Sequence, residues 1–199
     1  MHTNFKKQKG STLVEILVVV LVIALFSAIL VADFPRIKKR MALSRAVYAV
    51  SQDIKKVQDM GFSGVKIEGV PVAGYGIYFN LDTLGDKKYI IYADRGTGTV
   101  GDKRFSGVYV DCDDPEAQAD QDCIIEEIDM SSEPGIIIKE FKSVSDLRQL
   151  SVNFSPPNPE IIISTLAEGK NNAEIVLGME SGEDSRSVQI NLSGLIEVK

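Results

Sequence analysis

The chain has no tryptophan, one histidine and two cysteines among its 199 residues. Each shortage closes off a class of chemistry. The single histidine, His2, lies at the extreme N-terminus, so the body lacks the commonest general base. Neither cysteine has a histidine near it in sequence, and no Gly-x-Ser-x-Gly nucleophile turn occurs. Two thiols alone are too few for a zinc site. No catalytic activity, metal or cofactor is therefore expected. Cys112 and Cys123 stand close together. Such a pair suits one disulfide, which implies an oxidising, extracytoplasmic compartment; the alternative is two unpaired, partly buried thiols.

Charge is present but unevenly spread. The formal net charge is −6. Residues 1–60 carry ten Lys/Arg against four Asp/Glu, a balance of +6, whereas residues 61–199 carry twelve against twenty-four, a balance of −12. An acidic body repels phosphates, so no nucleic-acid partner is expected. The basic residues are placed to suit a membrane surface instead.

Residues 1–10, MHTNFKKQKG, are polar and contain Lys6, Lys7 and Lys9. Residues 13–32 are apolar except for Glu15 and Ser27. About 20 helical residues reach about 30 Å, the hydrocarbon thickness of a bilayer. A cleavable secretory signal would have a shorter apolar core and a small-x-small site after it; DFPRIKKR supplies none. The run reads as a retained membrane anchor. Its orientation stays open on charge alone, because Lys6, Lys7 and Lys9 on one flank compete with Arg36, Lys38, Lys39 and Arg40 on the other. The cysteine pair and the acidic body favour an exported C-terminal part.

Glu15 is the costly residue of this run, since a carboxylate in a bilayer is unfavourable, though less so near an interface. Two readings stand. It is an interfacial glutamate favoured at a helix N-terminus, or a carboxylate awaiting a cationic partner within the membrane.

The run Gly10-Ser11-Thr12-Leu13-Val14-Glu15, with lysines before it and an apolar stretch after it, resembles the class III signal of type IV prepilins and type II secretion pseudopilins. The resemblance implies that a prepilin peptidase cuts after Gly10 and methylates the new N-terminus at Ser11. It also implies that Glu15 pairs with the terminal amine of a neighbouring subunit, each charge lowering the other's desolvation cost. Ser11 stands where the family usually has Phe or Met. The partners implied are the peptidase, other pilin or pseudopilin subunits and the membrane. The location implied is a single-pass anchor in the cytoplasmic membrane with an extracytoplasmic C-terminal domain, then a pilus or pseudopilus.

Beyond Pro35 the helical pattern continues. Leu43, Val47, Val50, Ile54 and Val57 form one apolar stripe, and Gly61 reads as its stop. One helix over residues 11–60, bent near Pro35, is expected; two helices with a turn at residues 33–35 are the alternative. After Gly61 short Val/Ile/Tyr/Phe runs alternate with Gly, Asn, Asp and Pro. Candidate strands are 65–67, 76–79, 89–92, 104–110, 124–128, 136–141, 150–154, 160–164, 173–177, 187–191 and 195–198. The expected class is α+β: a long N-terminal helix on an antiparallel sheet or sandwich, with residues 1–10 a leader, 11–60 the helix and 61–199 the β-rich domain. GYGIYFN at 74–80, FSPPNPEIII at 154–163 and SVQINLSGLIEV at 187–198 resemble the H-type minor pseudopilins, whose last two strands form a hairpin around a glycine, here Gly194.

Two patterns invite other readings. Gly96, Gly98 and Gly101 spell G-x-G-x-x-G, but a strand pattern follows where a dinucleotide site needs a helix. The stretch 111–123 around the cysteines holds Asp111, Asp113, Asp114, Glu116, Asp120 and Asp122. Its order is not that of a calcium loop, and a solvated acidic loop is the plainer reading. The function expected is that of a minor structural subunit of a pilus or pseudopilus. The alternative is a single-pass, membrane-anchored extracytoplasmic binding module that does not polymerise.

Overall fold

The computed structural model describes residues 12–64, 66–67, 72–95, 103–105, 110–113, 122–142, 148–156, 160–164, 169–182 and 184–199. Among the described residues one α-helix, α1 (Leu13–Ser63), precedes ten strands. The helix runs unbroken through Pro35, so the two-helix alternative falls away. Proline costs one backbone hydrogen bond there, and the rest of the ladder carries on. The opening LVEILVVVLVI is rich in β-branched residues, a composition that in water favours strands. In a bilayer the preference reverses, because only a helix satisfies every backbone group within its own segment.

The chain divides into two compact units, Met1–Lys38 and Lys39–Lys199. Within the second unit, strands β1 (Gly74–Asn80), β2 (Lys88–Asp94), β3 (Cys123–Asp129), β5 (Gln149–Ser155), β6 (Glu160–Ser164) and β7 (Gly169–Lys170) form a sheet in the order β3-β2-β1-β5-β6-β7. A second sheet has the order β10-β9-β8-β4, from β4 (Ile136–Phe141), β8 (Asn172–Met179), β9 (Ser185–Asn191) and β10 (Ile196–Val198). All strand pairs are antiparallel. The fold is thus α+β.

The core follows from alternation. Tyr75, Ile77 and Phe79 of β1, Tyr89 and Ile91 of β2, and Leu150, Val152 and Phe154 of β5 turn one face of the first sheet into the main core. Ala173, Ile175 and Leu177 of β8 with Val188 and Ile190 of β9 do the same for the second. The stripe Leu43, Val47, Val50, Ile54 and Val57 joins them, each residue 2 % exposed or less. On the other face of the first sheet Tyr78, Ile90, Tyr92 and Ile124 form a smaller cluster beneath Leu84 and Phe105.

Three readings change. Gly61 does not end the helix. A Cβ there would sit 2.5 Å from the Cβ of Phe154 and 2.6 Å from its carbonyl oxygen, so this glycine lets α1 approach β5. The end comes after Ser63 at Gly64, whose φ of 60° is the left-handed conformation that closes a helix. Of the candidate strand at 65–67, Lys66 and Ile67 belong to no named strand and Val65 lies outside the described residues. Arg104 and Phe105 are likewise not in a strand, and residues 106–109 lie outside the description. The hairpin of β9 and β10 does turn at Gly194, with φ 80°.

Candidate functional site

The site that the sequence singles out begins at the first described residue. Gly10 and Ser11 lie outside the described residues, as do His2, Lys6, Lys7 and Lys9. Thr12 and Glu15 open α1 with a reciprocal cap. The Glu15 backbone N–H donates to Thr12 Oγ1 at 3.3 Å, and the Thr12 N–H donates to Glu15 Oε2 at 3.4 Å. This is the Ser/Thr-x-x-Glu capping box, in which two backbone donors at a helix start find acceptors. Thr12-x-x-Glu15 spells that pattern in the sequence, so the signal was there to be read. The two readings of Glu15, interfacial and toward a neighbouring amine, would draw on this same carboxylate. Here the carboxylate reaches back toward its own chain's N-terminal side.

After this cap the helix surface is uniform. Every large apolar side chain between residues 13 and 31 is exposed, from 43 % at Val22 to 79 % at Leu13. Such a surface cannot stand in water as it is, and the helix is long and apolar enough to cross a membrane. Ser27 causes no break, because its hydroxyl donates to the Ile23 carbonyl at 2.8 Å.

In the second unit the helix is tied to the sheets by polar contacts as well as packing. The Tyr89 hydroxyl donates to Asp53 Oδ2 at 2.5 Å, and Gln58 donates to the Gly194 carbonyl at 3.1 Å. Arg40 pairs with Asp184, Arg45 with Glu133 through two hydrogen bonds, and Lys56 with Glu126. The Arg45 guanidinium holds the Glu133 carboxyl below the usual carboxylate range. Burial, and after it the neighbouring Asp53, push the Tyr89 phenol well above its ordinary value; burial does the same to Tyr92. Both phenols stay protonated at neutral pH, and that of Tyr89 donates to Asp53.

Cys112 and Cys123 are joined as a disulfide. Arg95, buried beside it, donates from a terminal guanidinium nitrogen to the Cys112 carbonyl at 3.3 Å. Behind lies a polar layer: Asp94 accepts from the Lys103 backbone N–H, and the Tyr92 hydroxyl meets the Ser151 hydroxyl at 2.8 Å. The bridge thereby ties the segment around residue 112 to the edge strand β3. Residues 114–121 of the acidic loop and the glycines at 96, 98 and 101 lie outside the described residues. Among the described residues no cluster of three His, Cys, Asp or Glu could hold a metal. One cleft of about 130 Å³ touches Tyr78, Phe105 and Ser151, and another of about 270 Å³ touches Arg40, Leu43 and Asp184. Both fall below the roughly 300–1,000 Å³ of typical small-molecule sites.

Comparison with known proteins bears on the N-terminal end alone. The prokaryotic N-terminal methylation motif matches residues 5–31, a stretch that includes Gly10, Ser11 and Glu15. No curated protein and no solved structure matches the chain. Lys6, Lys7, Lys9, Gly10, Glu15 and an exposed apolar helix thus coincide with that motif, and the N-terminal segment carries a prepilin-type signal of the kind found in type IV pilins and pseudopilins.

Proposed function

We propose that this chain is a minor structural subunit of a type IV pilus or type II secretion pseudopilus. A prepilin peptidase removes residues 1–10 by cutting after Gly10, and Ser11 becomes the methylated N-terminus. Residues 13–32 hold the subunit in the cytoplasmic membrane, with the β-rich domain outside. In the filament Glu15 pairs with the terminal amine of a neighbour, and the apolar helices pack on one another. That exchange replaces lipid contacts by helix contacts, so packing and polar pairing decide it rather than the hydrophobic effect.

The observation that carries this reading is the overlap of the methylation motif at residues 5–31 with a fully exposed apolar helix that runs on into the folded domain. The hairpin around Gly194 supports the H-type assignment, and the disulfide supports an extracytoplasmic domain. The test is the intact mass of the protein purified from a host with its prepilin peptidase. The expected species begins at Ser11 and carries one added methyl group, and Gly10→Ala or peptidase deletion restores the full-length mass. A wild-type chain that keeps its first ten residues beside an active peptidase would sink the proposal and favour an anchored binding module.

A further inference from the structure

The assembly role leaves one sequence feature without a use. Arg36, Lys38, Lys39 and Arg40 fall within five consecutive positions of α1, and all four are exposed. Under the positive-inside rule they oppose export of the domain that follows them, so their presence calls for a separate physical reason. Arg40 is occupied by Asp184. Lys38 lies 4.6 Å from the centroid of the Phe34 ring, itself 54 % exposed. Among the described residues Arg36 and Lys39 make no ion pair.

Position along the helix says what they meet. At 1.5 Å per residue, residues 36–39 lie about 6–11 Å beyond the end of the apolar run, at the depth of the lipid headgroups. Long Arg and Lys side chains can bend their charges back to the phosphates. The acidic domain of a second copy is the rival occupant. It has the right charge, but it does not explain why the cluster follows the apolar run within about one helical turn.

We propose that Arg36, Lys38 and Lys39 form a headgroup clamp that binds anionic phospholipids where α1 leaves the bilayer. The clamp rests on the reading of residues 13–32 as a membrane span. It would hold each unassembled subunit at a set depth, and leaving the membrane would require those phosphates to be released.

The test uses the full-length protein in nanodiscs of equal parts phosphatidylcholine and phosphatidylglycerol, with the lipids retained on release counted by native mass spectrometry. Wild type is expected to keep phosphatidylglycerol about fivefold over phosphatidylcholine. Arg36→Gln/Lys38→Gln/Lys39→Gln should lose the preference, while the charge-preserving Lys38→Arg/Lys39→Arg should keep it. Lys6→Gln/Lys7→Gln/Lys9→Gln should also keep it, which separates the clamp from the leader. Equal retention of both lipids by wild type would overturn the proposal, as would an unchanged preference in the triple Gln variant. A triple variant that alters only the mass of subunit oligomers would overturn it in favour of a second copy. A chain that fails to enter the nanodisc would sink the span itself and the clamp with it.

Discussion

Ile23 and Ile54 belong to the same helix and meet opposite surroundings: the first is 60 % exposed and the second fully buried. Between residues 13 and 31 the helix is apolar on every side apart from Glu15 and Ser27. Over residues 41–57 one stripe is buried, while Met41, Arg45 and Tyr48 remain exposed. The backbone ladder is common to both, so the difference lies in what makes a helix worth forming. In the first stretch a membrane would enforce it, by offering the peptide groups no other partner. In the second, packing against the sheets does so. On the reading of residues 13–32 as a membrane span, a single element is stabilised by two solvents, one lipid and one protein.

The widest test of that contrast is one substitution made twice. Ile54→Ala is expected to lower the stability of the folded domain by about 2–5 kcal/mol, whereas Ile23→Ala should leave its melting unchanged. Near-ultraviolet circular dichroism of the detergent-solubilised protein reads both. Equal losses would mean that the two stretches are not distinct. A sharper version asks how close the second stretch must come to its sheet. Gly61→Ala should cost about 1–3 kcal/mol by overpacking against Phe154, and a neutral result would show that the approach to β5 is not tight.

The smallest effect concerns the polar part of the attachment. The Tyr89 phenol has its pKa raised above the ordinary 10.0 by burial and then by Asp53. Its contribution to stability is complete below pH 10 and is lost as pH rises from there toward the higher folded value. Alkaline denaturation should therefore steepen above pH 10. In Tyr89→Phe the slope should be shallower by up to about 1.4 kcal/mol per pH unit. It should not vanish, because Tyr75 and Tyr92 also resist ionisation when buried. An unchanged slope would remove Tyr89 from the account.

The stripe on α1 was legible because helical spacing is a local property, and Leu43, Val47, Val50, Ile54 and Val57 announce it without knowledge of their partners. Most strands were legible by the same local logic. Their grouping into sheets was not, since β1 pairs with both β2 and the distant β5, while β4 leaves for the second sheet between them. Gly61 shows the limit at one residue. Its sequence context fits a helix stop, and only the position of Phe154, remote in the chain, reveals a contact glycine. At the candidate site the motif at residues 5–31 was legible from letters alone. The capping geometry of Thr12 and Glu15 was spelled there too, but the membrane cost of a carboxylate is the louder signal at that position.

The polar links between helix and sheets bear on how the domain carries mechanical load. Asp53 with Tyr89, Gln58 with Gly194, and Arg40, Arg45 and Lys56 with their carboxylates are distributed along the helix rather than gathered at one end. A pull along the axis of α1 strains these links together, in shear, with the apolar stripe between them. Links loaded in parallel share the force, whereas links loaded one after another fail like a zip. The arrangement suits a part that is hauled by its stem.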